Sequence, residues 1–340
     1  MGTTQGSTDP AVRYGLWYDF RNPARWQEPF DAFYASRLAQ IADAEQLGFD
    51  SVWLTEHHFC DDGYTPSPLV LGAAIGARTE RMQIGTNLML LPLHDPVRLA
   101  EDSATLSLTT GGRFDLGVGI GYRQLEFDEF GRKLSHRPSL VEEGVKVLRR
   151  CWSGEPVNFT GKRFQVGDVR VTPAPVRTPR ILLGGMVEPA IERAARIADG
   201  FLCTGGIGLD LYAEELVRQG RRPEDGNLML GCWAIIAEDP EAEAARVAEH
   251  VLYQTNEYIR WGAFGPPEST PLFETGAAAI ENGLYELWDA DMAVTRLRAL
   301  LADYPMIRDI HFWAQFPGES ASSGDRRMRY IAENVLPKLR

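Results

Sequence analysis

Residues 51–58 read SVWLTEHH, a strand-like run that ends abruptly in one acid and two imidazoles. Positions 52–55 are apolar or β-branched, the composition of a strand covered on both faces, and so of a parallel α/β sheet. The polar cluster Glu56, His57, His58 then stands where the chain leaves the sheet. In a parallel α/β fold that is the carboxyl end of a strand, the edge on which active sites are built. Imidazole titrates near neutrality, so such a cluster can handle protons. A hydrogen-bonded histidine pair that merely closes the strand is the plainer alternative.

Outward from this run, strands and helices alternate. Strands are expected over 14–19, 51–55, 82–90, 113–119, 180–183, 201–204, 228–237 and 308–313. Helices are expected over 30–47, 69–78, 96–108, 139–152, 189–198, 209–219, 240–258 and 325–336. Gly48 is the kind of residue that sits just past a helix, and Pro96 suits a first turn. Eight units is the count of a closed (β/α)8 TIM barrel, with a doubly wound sheet as the alternative. Two stretches break the alternation, so insertions are expected after strands 4 and 7. Residues 153–179 read as an extended excursion with a short hairpin. Residues 259–290 carry Trp261, Phe264, Phe273, Tyr285 and Trp288 and read as a lid or as a packing element.

Bulk properties narrow the function. The chain has 340 residues, enough for one barrel of residues 13–340, with 44% apolar and 24% charged content. A net charge of -12 argues against general affinity for nucleic acid or anionic membranes. Residues 1–12 are polar, without a basic or an apolar leader region, and are expected to be a disordered tail. No apolar run approaches a membrane span. The scattered Cys60, Cys151, Cys203 and Cys232 fit reduced thiols and a cytoplasmic location. Gly117-x-Gly119-x-Gly121 begins like a dinucleotide fingerprint, but the sixth position is Tyr122 and no clean helix is expected to open there. His94, His136, His250 and His311 show no metal-ligand spacing, and no metal is expected. Phosphate-binding Gly-Lys-Ser/Thr and serine-hydrolase motifs are missing.

The ordered set IGTNLMLLPLHDPVR at 84–98, GGRFDLGVGIGY at 111–122, Glu126-Phe127 and EHHF at 56–59 resembles the bacterial luciferase-like flavin monooxygenase family. The resemblance runs over about residues 13–204. It implies a (β/α)8 barrel, in agreement with the unit count, and reduced FMN across the carboxyl ends of the strands. It implies a non-proline cis peptide between Asn87 and Leu88, and His57 as base or hydrogen-bond partner; the adjacent Glu56 is a candidate to orient an imidazole, with a polar residue of the barrel interior as the alternative. His57 and His58 follow each other and should face apart, which leaves His58 to packing or to ring orientation. The implied cofactor residues are Thr86, Asn87, Leu88, Gly119, Tyr122, Arg137, Gly184, Gly185, Met186 and Thr204. Gly119 and Ile120 stand where luciferase has its reactive cysteine and a phosphate-contacting arginine. Arg137 and the Gly184-Gly185 turn remain for the phosphate. The Gly-Tyr-Arg…Glu-Phe run at 121–127 also looks like deazaflavin-using members, whose chemistry is hydride transfer without oxygen.

The leading expectation is a monooxygenase of a small organic substrate, a homodimer fed reduced FMN by a separate flavin reductase. Deazaflavin-dependent hydride transfer and a non-catalytic flavin-binding protein are the alternatives.

Overall fold

The computed structural model describes residues 12–340, so the expectation for the tail lies almost wholly outside the described residues. Eight parallel strands close into a barrel: β1 (Arg13–Tyr18), β2 (Ser51–Leu54), β3 (Gln83–Thr86, resumed at Met89–Leu90), β4 (Phe114–Gly119), β5 (Ile181–Gly184), β6 (Gly200–Thr204), β7 (Leu228–Cys232) and β8 (Ile307–Trp313). The ring runs in order, with β1 paired to β8 through Tyr14 and Ile310, and β3 to β4 through Ile84 and Phe114. A doubly wound sheet is thereby excluded. No helix among the described residues is long and apolar enough to cross a membrane.

Helices clothe the barrel where the sequence pattern asks for them. Phe30–Gln46 gives way to Gly48, whose φ of 96° only glycine adopts without strain. Pro96–Thr109 starts on Asp95, whose carboxylate accepts the N–H groups of Val97 and Arg98. The excursion after β4 contains the expected hairpin, Val157–Thr160 with Gln165–Val169.

Three expectations are corrected. The strand over 82–90 is broken at Asn87–Leu88, where the peptide is cis, as the resemblance implies. The strand over 228–237 is also two pieces: Ala234–Ile236 leaves the barrel and pairs with Glu286–Trp288. The third concerns the outer helix of the seventh unit. Ala290–Asp303, capped by Asp289, packs Ala293, Val294 and Leu297 into the outer core. Pro240–Trp261 instead packs Val247 and Val251 against the inner cluster that holds Trp17, Trp53 and Trp313.

The barrel's base is polar and closed. Asp309 accepts Arg13 Nε at 3.0 Å, Ser51 Oγ at 3.0 Å and Trp53 Nε1 at 3.1 Å. Asp115 accepts Arg177 and Arg180. Trp53 fills the barrel axis above this layer because Gly85 has no side chain; a Cβ there would come within 2.3 Å of the indole.

Candidate active site

A cavity of about 410 Å³ opens at the carboxyl ends of the strands, the edge anticipated from residues 51–58. Of the anticipated cofactor residues, Asn87, Leu88, Gly119, Tyr122 and Arg137 line it, and so do Gly184, Gly185, Met186 and Thr204. Thr86 does not. Its hydroxyl donates to Gly117 O at 2.7 Å and accepts Gly117 N–H at 2.9 Å, because its strand position faces the β4 ladder.

Leu88 shapes one side of the cavity. A Cβ at Gly119 would lie 2.6 Å from its Cδ1, and one at Gly184 2.5 Å from its Cδ2. These glycines keep a flat, apolar slot open beside the cis peptide. Arg137 begins helix Arg137–Cys151; it donates to Gly121 O at 2.7 Å, while its Nε finds no hydrogen-bond partner among the described residues. Such a donor beside the Gly185-Met186 turn suits an anion. The slot and the cation together fit an isoalloxazine-like ring carrying an anionic tail.

His57 and Glu56 line the cavity too, but Glu56 is not the carboxylate that orients His57. Beyond Leu54 successive side chains point apart. Glu56 turns toward the strand after the cis peptide, accepting Leu90 N–H and His94 Nε2, the latter at 2.8 Å. His58 Nε2 lies 3.3 Å from Glu56 Oε1, within ion-pair reach but off a hydrogen-bond line. Burial alone would raise the Glu56 pKa, but His94 and His58 outweigh it and hold it down to about 2. Burial would lower that of His94, and the Glu56 charge raises it instead.

The orienting carboxylate is Glu126. His57 Nδ1 lies 2.9 Å from Glu126 Oε1, which also accepts His58 N–H at 2.9 Å and Arg123 NH1 at 3.1 Å. Glu126 sits on helix Gln124–Glu129, in the stretch where no helix was expected. Burial of Glu126 works against ionisation, yet the His57 hydrogen bond and its other donors keep its pKa below the ordinary value. For His57, burial lowers the pKa more than Glu126 raises it. The pair is therefore a carboxylate and a neutral imidazole, with the proton on Nδ1 and a lone pair on Nε2. Nε2 faces Tyr122 Oη at 3.0 Å. Burial pushes the Tyr122 phenol well above its usual pKa, so it remains a donor.

Aromatic rings complete the site. Tyr64 and Trp261 stand 4.8 and 5.2 Å from the His57 ring, between centroids. Trp261 is held there by the end of its helix at Gly262, φ 85°. Of the expected insertion 259–290, Ala263 and Phe264 reach the cavity, whereas Tyr285 and Trp288 are buried packing residues. Sequence reasoning did not single out Trp17, Tyr64, Trp233, Tyr258, His311 or Trp313, all of which line the cavity. The run containing Glu126 was the one signal pointing at the dyad.

The model of the luciferase-like monooxygenase family matches residues 12–302, and the chain belongs to that family. Among curated relatives, the F420-dependent glucose-6-phosphate dehydrogenase of Amycolatopsis mediterranei (strain U-32) is 32% identical over 181 residues, 51% of this chain and 54% of that protein. The chain thus matches about half the length of such relatives. Among solved structures, monooxygenase RslO1 from Streptomyces bottropensis superposes with a TM-score of 0.81 at 23% identity, covering 96% of this chain and 99% of that one. The oxygenating constituent of 3,6-diketocamphane monooxygenase from Pseudomonas putida, in complex with FMN, gives 0.77 at 18% identity, covering 97% and 99%. An F420-dependent secondary alcohol dehydrogenase, bound to an F420–acetone adduct, gives 0.75 at 18%, again covering 97% and 99%. These structural likenesses establish the shared barrel.

Proposed function

We propose that this chain is an oxidoreductase that moves a hydride between a deazaflavin coenzyme and a small alcohol or its carbonyl counterpart. The observation that carries this reading is the His57–Glu126 dyad: a neutral imidazole, tautomer set by a carboxylate 2.9 Å away, whose Nε2 lone pair accepts from Tyr122 and can act as a base once that hydroxyl turns to the substrate oxygen. Oxidation of a carbinol needs such a base. As the C–H hydrogen departs with its electron pair, Nε2 takes the hydroxyl proton, and in the reverse direction His57 returns it to the carbonyl oxygen. Tyr122, beside Nε2, donates a hydrogen bond to that same oxygen. A bound deazaflavin supplies the two-electron hydride acceptor. Leu88, Gly119 and Gly184 would receive its ring, and Arg137, Gly185 and Met186 its anionic tail. The names of the curated relatives, at a higher identity than the monooxygenase structures, support this choice.

An FMN-dependent monooxygenase, using reduced FMN from a separate reductase, is the second reading. It is favoured by Arg137, the one Lys or Arg among the described residues that line the cavity, which suits a single phosphate. The two are separated by titrating the purified chain with coenzyme F420 and with FMN, each oxidised and reduced. The expected result is a preference for F420 of about tenfold or more, some 1.4 kcal/mol. Tighter binding of reduced FMN, with oxygen consumed in step with product, would replace the hydride-transfer reading by the second.

A further inference from the structure

The cavity wall is divided by chemistry. The arc of β3, β4 and β5 contributes Leu88 and the glycines. The opposite arc, β8 and β1 with the segments after β7, contributes Trp17, Trp313, Trp233, Tyr258 and Phe264. These rings brace one another: Trp17 and Trp313 at 4.0 Å between centroids, Trp233 and Trp313 at 5.7 Å, Tyr258 and Phe264 at 6.5 Å. Tyr285 stacks behind Trp233 at 5.3 Å and keeps it in place. Among the described residues that line the cavity, Arg137 is the one Lys or Arg, and it belongs to the glycine side. The one acid is Glu56, a buried carboxylate. His311 is kept neutral by burial, and its one side-chain partner among the described residues is Met229 Sδ, at Nδ1.

We infer that the substrate is an uncharged, largely apolar ring compound, an aryl or alicyclic secondary alcohol or its ketone, held in a slot formed by Trp17, Trp233, Trp313 and Phe264. The alcohol or ketone oxygen rests on the hydride-transfer reading above; the ring slot rests on the wall alone. A ring compound with one oxygen needs one polar contact, and His57 with Tyr122 supplies it. A sugar phosphate brings several hydroxyls and a dianion into the same space. Indole and phenyl faces leave the hydroxyls that lie against them without partners, and the aromatic arc offers a dianion no cation, since Arg137 stands on the glycine side. This chain therefore differs in substrate from the glucose-6-phosphate dehydrogenases to which it is similar.

The test uses the full chain without cofactor, with its tryptophan fluorescence as the signal, since three indoles line the slot. 1-Phenylethanol is expected to give a saturable change, and glucose 6-phosphate none up to millimolar concentration. Phe264→Ala, at a position 36% exposed and outside the core, should weaken 1-phenylethanol by about tenfold while leaving all three reporters in place. Trp233→Phe, which keeps a ring, should weaken it less. A saturable response to glucose 6-phosphate, no response to 1-phenylethanol, or affinity indifferent to both substitutions overturns the inference. Cofactor choice is read separately by absorbance, so a chain that binds FMN and rejects F420 loses the hydride-transfer reading and keeps the ring slot.

Discussion

His57 and Glu126 are 69 positions apart in the chain and 2.9 Å apart in the site, one providing the imidazole and the other the charge that sets its tautomer. The dyad joins the end of β2 to the short helix after β4, so the base is positioned by two separate barrel loops. Its role is open to direct attack.

His57→Ala should lower turnover by about 10²–10⁴-fold, the scale of a lost acid–base group. Cofactor affinity should change little, because the slot is built by Leu88, Gly119 and Gly184 on the other arc. Equal turnover in mutant and wild type, measured with the cofactor chosen by titration, would remove His57 from the chemistry.

The pH dependence follows from the lowered His57 pKa. The base must be neutral, so kcat/KM for alcohol oxidation rises with pH through that pKa and is flat above it. The acid limb therefore lies below the ordinary histidine value of about 6.5. Glu126→Gln removes a charge that raises the pKa, and the limb should move further into acid. A limb that stays put, or moves toward neutral pH, is incompatible with this dyad.

Glu56 and His94 are a separate pair, important for stability. His94 has a raised folded pKa, so its contribution is complete below about pH 6.5 and is lost as pH rises through that raised value. Glu56, depressed to about 2, contributes fully above its ordinary carboxylate range and loses this as pH falls toward 2. Urea unfolding of His94→Ala should show a loss of about 1–3 kcal/mol near pH 6, shrinking at alkaline pH. A loss of equal size at every pH would mean that His94 acts through packing.

Two glycines on one strand should respond in opposite ways to alanine. At Gly119 the added Cβ meets the tip of Leu88, a side chain that can turn aside into the slot. Gly119→Ala should fold and lose cofactor affinity by about tenfold or more. At Gly117 it would lie 1.8 Å from the Thr86 carbonyl oxygen, backbone that cannot yield. Gly117→Ala should fail to give soluble, cooperatively unfolding protein. Soluble Gly117→Ala with a normal melting transition would contradict the close packing of β3 on β4.

The barrel was legible because local signals repeat: an apolar strand, a turn, an amphipathic helix, eight times over. Ala290–Asp303 was legible in principle, with Asp289 as N-cap and Ala293, Val294 and Leu297 at helical spacing. Pro240–Trp261, the first helical run after β7, masks it by filling the seventh place of an eight-unit pattern. Neither break, at Asn87–Leu88 or at Trp233, shows in an apolar run, since hydrophobicity does not report where the ladder stops. The glycines and Arg137 of the cofactor wall were found through their motifs. Glu126 stands in a recognisable run, but its pairing with His57 is not visible there, because a contact between residues 57 and 126 depends on strand order around the barrel. His311 and the tryptophans stayed hidden for the same reason: on the sequence they are ordinary core residues.

Trp53, wedged against Gly85 and tied to Asp309, turns the barrel into a blind alley. Leu182, Leu202 and Met229 are buried beside it, and the cavity begins above them. Cofactor and substrate, on opposite arcs of the wall, share the same mouth, and whichever lies across it must arrive last and depart first. Initial-rate kinetics should therefore display a compulsory order of addition, with the last product released competing against the first reactant bound. Random-order patterns would mean that the alley has a second door.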